Sequence, residues 1–171
     1  MNSDLMSQND EYTIVSATES DKEEILKLYK AQVGKKFCFW DEDYPSMLEI
    51  DEDVKRNNLF VLKDGKGKIL STISVDHDEN VDVLGFWTKE LLPGAELARL
   101  CVDDSLKNKG IARKMIEHVS GVLKSRGFKS VHFLVNRDNI PALSSYSHLA
   151  FDKVGECFMY EQNFICYEKK F

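Results

Sequence analysis

The sequence predicts a mixed α/β fold built on one central sheet. Strand-like and helix-like patterns succeed each other along the whole chain, and a strand, a helix and a second strand follow in turn over residues 95–136. A strand–helix–strand succession joins parallel strands, so at least one pair in the sheet is predicted to be parallel. No repeat or linker divides the 171 residues, and 43% hydrophobic with 30% charged residues is typical of a globular protein. We therefore expect one domain over residues 1–171.

In the first half of the chain, residues 12–17 have the pattern of a strand. Ser20 and Glu23 form a capping box ahead of a first helix, and Ser46 and Glu49 form another ahead of a second helix. The turn "DGKG" (64–67) then separates two β-prone runs and predicts a hairpin. Residues 81–94 are compatible with a strand, a short helix or an ordered loop, and the sequence leaves these three open.

In the second half the pattern is clearer. A strand over 95–102 precedes a helix that begins after Gly110 and stops at Gly127, and a strand follows over 130–136. A short helix begins at Asp138–Asn139, and two strands around the polar turn "EQN" (161–163) end the chain. The predicted order is therefore β-α-α-β-β-β-α-β-α-β-β.

Composition excludes several functions. The net charge of −6 argues against general affinity for nucleic acid or an anionic membrane surface. No apolar run approaches the ~20 residues that span a bilayer, and the N-terminus has no secretory signal pattern, so we expect a cytoplasmic protein. The four cysteines have no CxxC spacing, which predicts neither a disulfide nor a metal site. We expect the polar residues 1–11 to be mobile.

The stretch "SLKNKGIARKM" (105–115) is the most informative. Its four cations surround Gly110 at the start of a predicted helix, where unpaired N–H groups attract anions. The donors there belong to Gly110, Ile111, Ala112 and Arg113. A phosphate-bearing ligand and a simple turn with solvated lysines are both compatible with this pattern alone. GxxxxGK[ST] and GxGxxG are both absent, which disfavours an ATPase or a Rossmann dinucleotide site.

The longer segment "LCVDDSLKNKGIA" resembles the acetyl-CoA loop of the GNAT superfamily of N-acetyltransferases, a strand ending L-x-V followed by [QR]-x-x-G-x-[GA] and a helix. Lys107 stands at the Gln/Arg position, Gly110 at the central glycine and Ala112 at the final Gly/Ala. Lys107 keeps the cation without the planar guanidinium, and Asn108 replaces a glycine that many members have.

A second segment, "NIPALSSYSHLAF", resembles the family signature N-x-x-A-x-x-x-Y followed by Gly-Phe. Asn139, Ala142, Tyr146 and Phe151 match in register, whereas Ala150 replaces the glycine. That replacement suggests a slightly different turn after the helix. The resemblance extends by element order from about residue 12 to the C-terminus and is specific over residues 98–151.

The resemblance implies a mixed, mostly antiparallel central sheet with a splayed parallel pair and helices on both faces. It also implies acetyl-CoA as co-substrate, with its pantetheine arm between the two splayed strands and its thioester carbonyl on backbone N–H groups near Cys101 and Val102. No metal is implied. The residues expected to contact acetyl-CoA are Leu100, Cys101, Val102, Lys107, Asn108, Lys109, Gly110, Ile111, Ala112, Arg113, Asn139 and Tyr146.

Two residues are candidates for catalysis. Tyr146 matches the family's general acid, which protonates the departing thiolate, although its spacing alone favours a helix residue packed on the core. Glu96 is a candidate base or water-holding group on the strand that leads to the acetyl site, and an exposed strand carboxylate is the alternative. Cys101 between Leu100 and Val102 is expected to be a core thiol, which argues against an acyl-enzyme.

The acceptor pocket is predicted in the aromatic and acidic loop that includes Trp40, Asp43 and Tyr44, whose carboxylates and rings suit a cationic amine. A solvated acidic loop with its aromatics in the core is the alternative. We expect an N-acetyltransferase that moves the acetyl group directly to a primary amine of a small molecule or peptide in a ternary complex. A non-catalytic acyl-CoA sensor or interaction module is the alternative, and the aromatic C-terminal strands make a homodimer a candidate assembly.

Overall fold

The computed structural model describes residues 11–171, so the mobility expected of residues 1–10 lies outside the described part of the chain. In this described part, seven strands form one sheet in the order β1-β2-β3-β4-β5-β7-β6. The strands are β1 Thr13–Ser16, β2 Leu59–Lys63, β3 Ile69–Asp76, β4 Gly94–Val102, β5 Ser130–Asn136, β6 Asp152–Met159 and β7 Gln162–Lys170. The predicted order of strands and helices is confirmed, with one additional short helix.

Neighbouring strands are antiparallel except for β4 and β5, which are parallel. The helix between these two strands crosses over the sheet, as a parallel connection requires. The predicted mixed, mostly antiparallel sheet with one parallel pair is therefore confirmed.

The helices are α1 Lys22–Lys30, α2 Met47–Lys55, α3 Glu79–Asp82, α4 Ile111–Ser125 and α5 Ile140–His148. The buried face of α4 includes Met115, Val119 and Leu123 and packs with Val131 and Phe133 of β5. A second core holds Ile25 and Tyr29 of α1 with Ile50 of α2, and it includes Cys101 of β4. Alternate residues of β4 thus enter two different cores, which places helices on both faces of the sheet.

One of the two predicted helix caps is correct and the other is misplaced. Ser46 N donates to Glu49 Oε2 at 2.7 Å, and Leu48 N donates to Ser46 Oγ at 3.2 Å. At the first helix the capping box uses Thr18 and Asp21, with a 3-10 turn before α1. Asp21 also accepts a hydrogen bond from Lys63 Nζ at 2.7 Å, a contact with β2 that sequence spacing cannot show.

The undecided segment 81–94 contains the end of α3 and a 3-10 turn at Lys89–Leu91. Its Trp87 is buried and donates from Nε1 to the carbonyl of Val81 at 2.8 Å. This segment covers the sheet next to His132 of β5, whose ring lies 4.3 Å from that of Trp87 between centroids. Among residues 11–171, no helix is long and apolar enough to cross a membrane.

Candidate active site

The gap between β4 and β5 is the main feature of the site. The two strands pair only from Gly94–Ser130 to Glu96–His132. Beyond those pairs, β4 continues against β3 alone and β5 continues against β7 alone. Among the strands of residues 11–171, none pairs with the β5 side of the remaining length of β4, which contains Leu100, Cys101 and Val102.

A register shift in β4 lies beside this gap. Thr72 of β3 faces Cys101, whereas Ser74 faces Ala98, so β4 carries an extra residue between those positions. Arg99 within the shift has a φ of 50°, an uncommon value for a residue other than glycine. Bulges re-aim backbone groups and end regular pairing, which suits a strand that must leave its neighbour.

The side chains of the three residues after the bulge belong to the core. Leu100 and Val102 pack against the α4 cluster, whereas Cys101 is buried on the other face. Burial raises the pKa of Cys101 to about 12, and its thiol lies 3.8 Å from the carbonyl oxygen of Leu28. This environment is that of an inert core thiol, in keeping with the interpretation that argued against an acyl-enzyme.

The loop after β4 leads into the N-terminus of α4. Asp103 accepts a hydrogen bond from Ser105 N at 3.0 Å, and the buried Leu106 holds a 3-10 turn against the core. Asn108 and Gly110 both have positive φ values, 60° and 74°. Among residues 11–171, no atom lies within 4 Å of a Cβ built on Gly110, so the described residues leave open space at the N-cap of α4.

Two of the four loop cations have acidic partners. Lys107 Nζ lies 2.8 Å from Asp104 Oδ1, and Arg113 Nε donates to Glu117 Oε1 at 2.7 Å. Within residues 11–171, no ion pair involves Lys109 or Lys114. The excess positive charge at the entrance of α4 therefore comes from these two lysines and from the helix itself.

Tyr146 lies on α5 and Asn139 is the N-cap of that helix. Asn139 caps the helix, with Ala142 N donating to its Oδ1 at 3.3 Å. The Tyr146 ring is half-buried and lies 4.2 Å from the Phe133 ring between centroids, and burial raises the pKa of its hydroxyl to about 12. A hydroxyl that stays protonated at neutral pH can donate a proton or a hydrogen bond.

Ala150 follows α5 with a φ of 60°. This is the left-handed conformation that glycine adopts without strain, so the alanine occupies a glycine-type turn at an energetic cost.

Glu96 lies at the last β4–β5 pair and is only 9% exposed, which excludes the alternative of an exposed strand carboxylate. Its Oε2 is buried without a hydrogen-bond partner in the described residues. His132, its register partner, is 3% exposed, and its Nε2 is likewise buried and unpartnered among residues 11–171. Both residues line a cavity of about 760 Å³ that extends to Trp87.

The environment of these two side chains keeps both neutral at pH 7. Burial, supported by the carboxylates of Asp76 and Asp78, raises the pKa of Glu96 to about 8, with Arg99 acting in the opposite direction. Burial lowers the pKa of His132 to about 4. Glu96 therefore becomes a proton acceptor as the pH rises towards 8.

The three residues predicted for the acceptor loop lie in different environments. Trp40 packs edge-on against Tyr29 with 5.4 Å between ring centroids, so its ring belongs to the core. Asp43 is exposed. Tyr44 is 41% exposed, and its hydroxyl accepts a hydrogen bond from Arg99 Nη1 at 3.1 Å. Tyr44 is therefore hydrogen-bonded to β4.

Sequence reasoning missed the polar residues that surround Glu96. The groups whose charge acts on Glu96 are Asp76, Asp78, Asp82 and Arg99. Arg99 is bound by Asp53 and Asp76, and Tyr160 donates a hydrogen bond to Asp78. The signal for one of them was present, since an arginine in the apolar run "LARLCV" must find a partner if the strand is buried. Within residues 11–171, no group of three or more His, Cys, Asp or Glu side chains is arranged to hold a metal ion.

The strand gap, the bulge and the glycine-led helix are the framework of an acyl-CoA-dependent transferase. Residues 22–151 match the family model described as "Acetyltransferase (GNAT) family", which covers most of the chain. The chain therefore belongs to the GNAT acetyltransferase family and is an acyltransferase. No curated protein matches the sequence.

Solved structures with this fold share little sequence with the chain. A GNAT-family acetyltransferase from Staphylococcus aureus Mu50 has a TM-score of 0.72 at 16% identity, covering 94% of this chain and 99% of its own. The ribosomal-protein-S18-alanine N-acetyltransferase of Escherichia coli has a TM-score of 0.70 at 17% identity, covering 94% of both chains. The PaiA N-acetyltransferase of Thermoplasma acidophilum, solved with coenzyme A, has a TM-score of 0.69 at 17% identity, covering 94% of this chain and 99% of its own.

Proposed function

We propose that the protein transfers the acetyl group of acetyl-CoA to a primary amine by direct attack within a ternary complex. The observation that carries this proposal is that β4 and β5 separate immediately after Glu96 and His132, beside the bulge at Arg99. The buried carboxylate of Glu96 therefore lies where the gap between the two strands begins. At the other end of the gap, β4 ends and the chain leads to the N-terminus of α4.

The residues present fit acetyl-CoA. The open space before Gly110, together with Lys109 and Lys114, suits the phosphates of the cofactor. The N–H groups of Ile111, Ala112 and Arg113 are the donors proposed there, while Lys107, Asn108 and Asn139 would line the approach. When bound, acetyl-CoA supplies an activated thioester to the gap.

The remaining steps belong to the side chains and backbone of this chain. N–H groups of β4 near Leu100, Cys101 and Val102 would stabilise negative charge on the carbonyl oxygen. Glu96 would accept a proton from the bound ammonium, so that the neutral amine nitrogen can bond to the acetyl carbon. Tyr146 would donate a proton to sulfur as the carbon–sulfur bond breaks, and its oxygen would regain a proton from the newly acetylated nitrogen.

The acceptor we propose is a cationic amine of a small molecule or peptide. Carboxylates of Asp76, Asp78 and Asp82 all act on Glu96, so the surroundings of the base carry negative charge. Such a field raises the local concentration of ammonium groups. Tyr44 would form part of the wall, with Asp43 at its exposed rim. A ribosomal-protein alanine and a bound peptide appear in the names of two neighbours with this fold, which is consistent with an amine acceptor.

Release of free thiol from acetyl-CoA, measured across a panel of amines and N-terminal peptides, tests this function. At least one amine is expected to give saturable thiol release above the rate measured without an acceptor. Tight binding of acetyl-CoA with no amine-dependent release across the panel would instead support a sensor that keeps the fold without turnover.

A further inference from the structure

Arg99 is a charged side chain in the middle of a buried strand. It is 7% exposed as a residue, and its side chain is 4% exposed. It occupies the register shift of β4 with a φ of 50°. A bulky residue in this conformation persists only where its surroundings hold it there, and such positions concentrate at functional sites.

The guanidinium uses three of its nitrogens to bind three separate segments. Nη2 lies 2.9 and 2.8 Å from the two carboxylate oxygens of Asp53 on α2, and Nε donates to the same carboxylate at 3.1 Å. Nη1 donates to Asp76 at the end of β3 at 3.0 Å and to the Tyr44 hydroxyl at 3.1 Å. A planar fork of donors can satisfy this arrangement, whereas a lysine ammonium cannot.

Each of these partners is itself fixed. Ser74 Oγ donates to Asp53 Oδ2 at 2.7 Å, which ties α2 to β3. Asp76 accepts from His77 N at 2.8 Å through its other oxygen. Asp41 Oδ1 accepts from the backbone N–H groups of Asp43 and Tyr44, so residues 41–44 form a compact turn.

The hydrogen bonds of Arg99 connect the loop proposed to hold the acceptor amine with the strands that carry the proposed base and the acetyl-CoA gap. Asp76 is the register partner of Glu96, the proposed base, and Leu100 follows Arg99 directly at the strand gap. Tyr44 belongs to the loop proposed to hold the acceptor. Arg99, at the bulge of β4, is thus bonded both to the proposed acceptor loop and to Asp76, the strand neighbour of the proposed base.

We propose that Arg99 is a positioning residue: it holds the Tyr44 loop and the β4 bulge in one fixed relation, and so determines how the acceptor amine is presented. This rests on the proposed function. Arg99 does not contact the reacting atoms; it acts through Tyr44, Asp53 and Asp76. Weakening its bonds should therefore impair use of the amine far more than binding of acetyl-CoA.

The test uses Tyr44→Phe, which keeps the ring and removes the oxygen that Arg99 binds, and Arg99→Lys, which keeps the charge and loses the fork. Tyr160→Phe, which removes a tyrosine hydroxyl bound to Asp78 instead, is the matched control. Hydrogen exchange of backbone amides in residues 41–45 and 98–101 is measured in each variant, alongside acetyl-CoA affinity and the steady-state constants for the best amine.

Both variants are expected to exchange at least fivefold faster than wild type in residues 41–45 and to raise the KM for the amine at least fivefold, with acetyl-CoA affinity within twofold of wild type. Arg99→Lys should additionally speed exchange in residues 98–101, whereas Tyr160→Phe should leave both segments unchanged.

Wild-type exchange in residues 41–45 in both Tyr44→Phe and Arg99→Lys would overturn the proposal. Wild-type protein without amine turnover would count against the proposed function, and the exchange data would still decide the role of Arg99.

Discussion

Gly110 is the N-cap of α4, where we propose that the phosphates of acetyl-CoA bind. Replacing it with Asp places a carboxylate in front of the first N–H groups of the helix, where negative ligands are expected. The positive φ of 74° is tolerated by Asp better than by most residues, so the domain should fold. We expect acetyl-CoA affinity to fall on the order of 100-fold, equivalent to about 2.7 kcal/mol, by calorimetric titration.

Gly110→Asn is the matched control, because it adds nearly the same volume without the charge. It should lose much less affinity than Gly110→Asp. Equal losses in the two variants would attribute the effect to bulk and not to anion binding at this helix.

If Glu96 is the base, kcat/KM should depend on pH. A base must be deprotonated to accept a proton, and the pKa of Glu96 is raised to about 8. The value of kcat/KM should therefore rise about tenfold per pH unit below 8 and level off above it. Glu96→Gln should reduce kcat/KM by about 10²- to 10⁴-fold and abolish this rise. The exposed Glu156, changed to Gln, is the control; a profile unchanged by Glu96→Gln would exclude Glu96 as the base.

Tyr146 is proposed to protonate the departing sulfur. Tyr146→Phe keeps the ring against Phe133 and removes the donor, so we expect kcat to fall about 10²-fold or more while acetyl-CoA affinity stays within a few-fold. Tyr167→Phe, which alters another tyrosine of the same ring cluster, is the comparison. If turnover by Tyr146→Phe equals that of wild type, another group protonates the thiolate.

At the scale of single elements, the turn after α5 carries a strained alanine. Ala150→Gly should raise the free energy of unfolding by about 0.5–1 kcal/mol, because relief of left-handed strain exceeds the entropic cost of glycine. Chemical denaturation measures the change. Ala142→Gly, a helix position, should lower stability by a comparable amount. A loss of stability in Ala150→Gly would show that the turn is unstrained.

Elements with strong local patterns were predicted from the sequence, and those fixed by distant contacts were not. The hairpin at residues 64–67, the helix between Gly110 and Gly127 and the Ser46 cap depend on neighbours in sequence. The cap at Thr18 depends in part on Lys63, and the structure of residues 81–94 depends on Trp87 packing against His132. Such contacts join segments that are far apart in sequence, so local patterns do not indicate them.

At the scale of the whole molecule, the order of elements and the two motifs predicted the sheet and its parallel pair. The candidate loop around Gly110 followed from a local motif, and Glu96 from its place on a strand. The Arg99 network could not be predicted, because Tyr44, Asp53 and Asp76 lie 55, 46 and 23 residues away in sequence. Its members meet because the bulge turns one side chain towards a helix, a strand end and a loop.

Calorimetric titration of the purified protein with acetyl-CoA, beside ATP and NAD, measures whether the chain selects a ligand with a pantetheine arm. We expect saturable one-to-one binding of acetyl-CoA and at least tenfold weaker binding of the other two nucleotides. All three contain an adenine nucleotide with phosphates, but only acetyl-CoA has an arm that can lie between β4 and β5. No heat with acetyl-CoA in a folded sample, or equal affinity for all three, would mean that the gap between β4 and β5 is not an acetyl-CoA site.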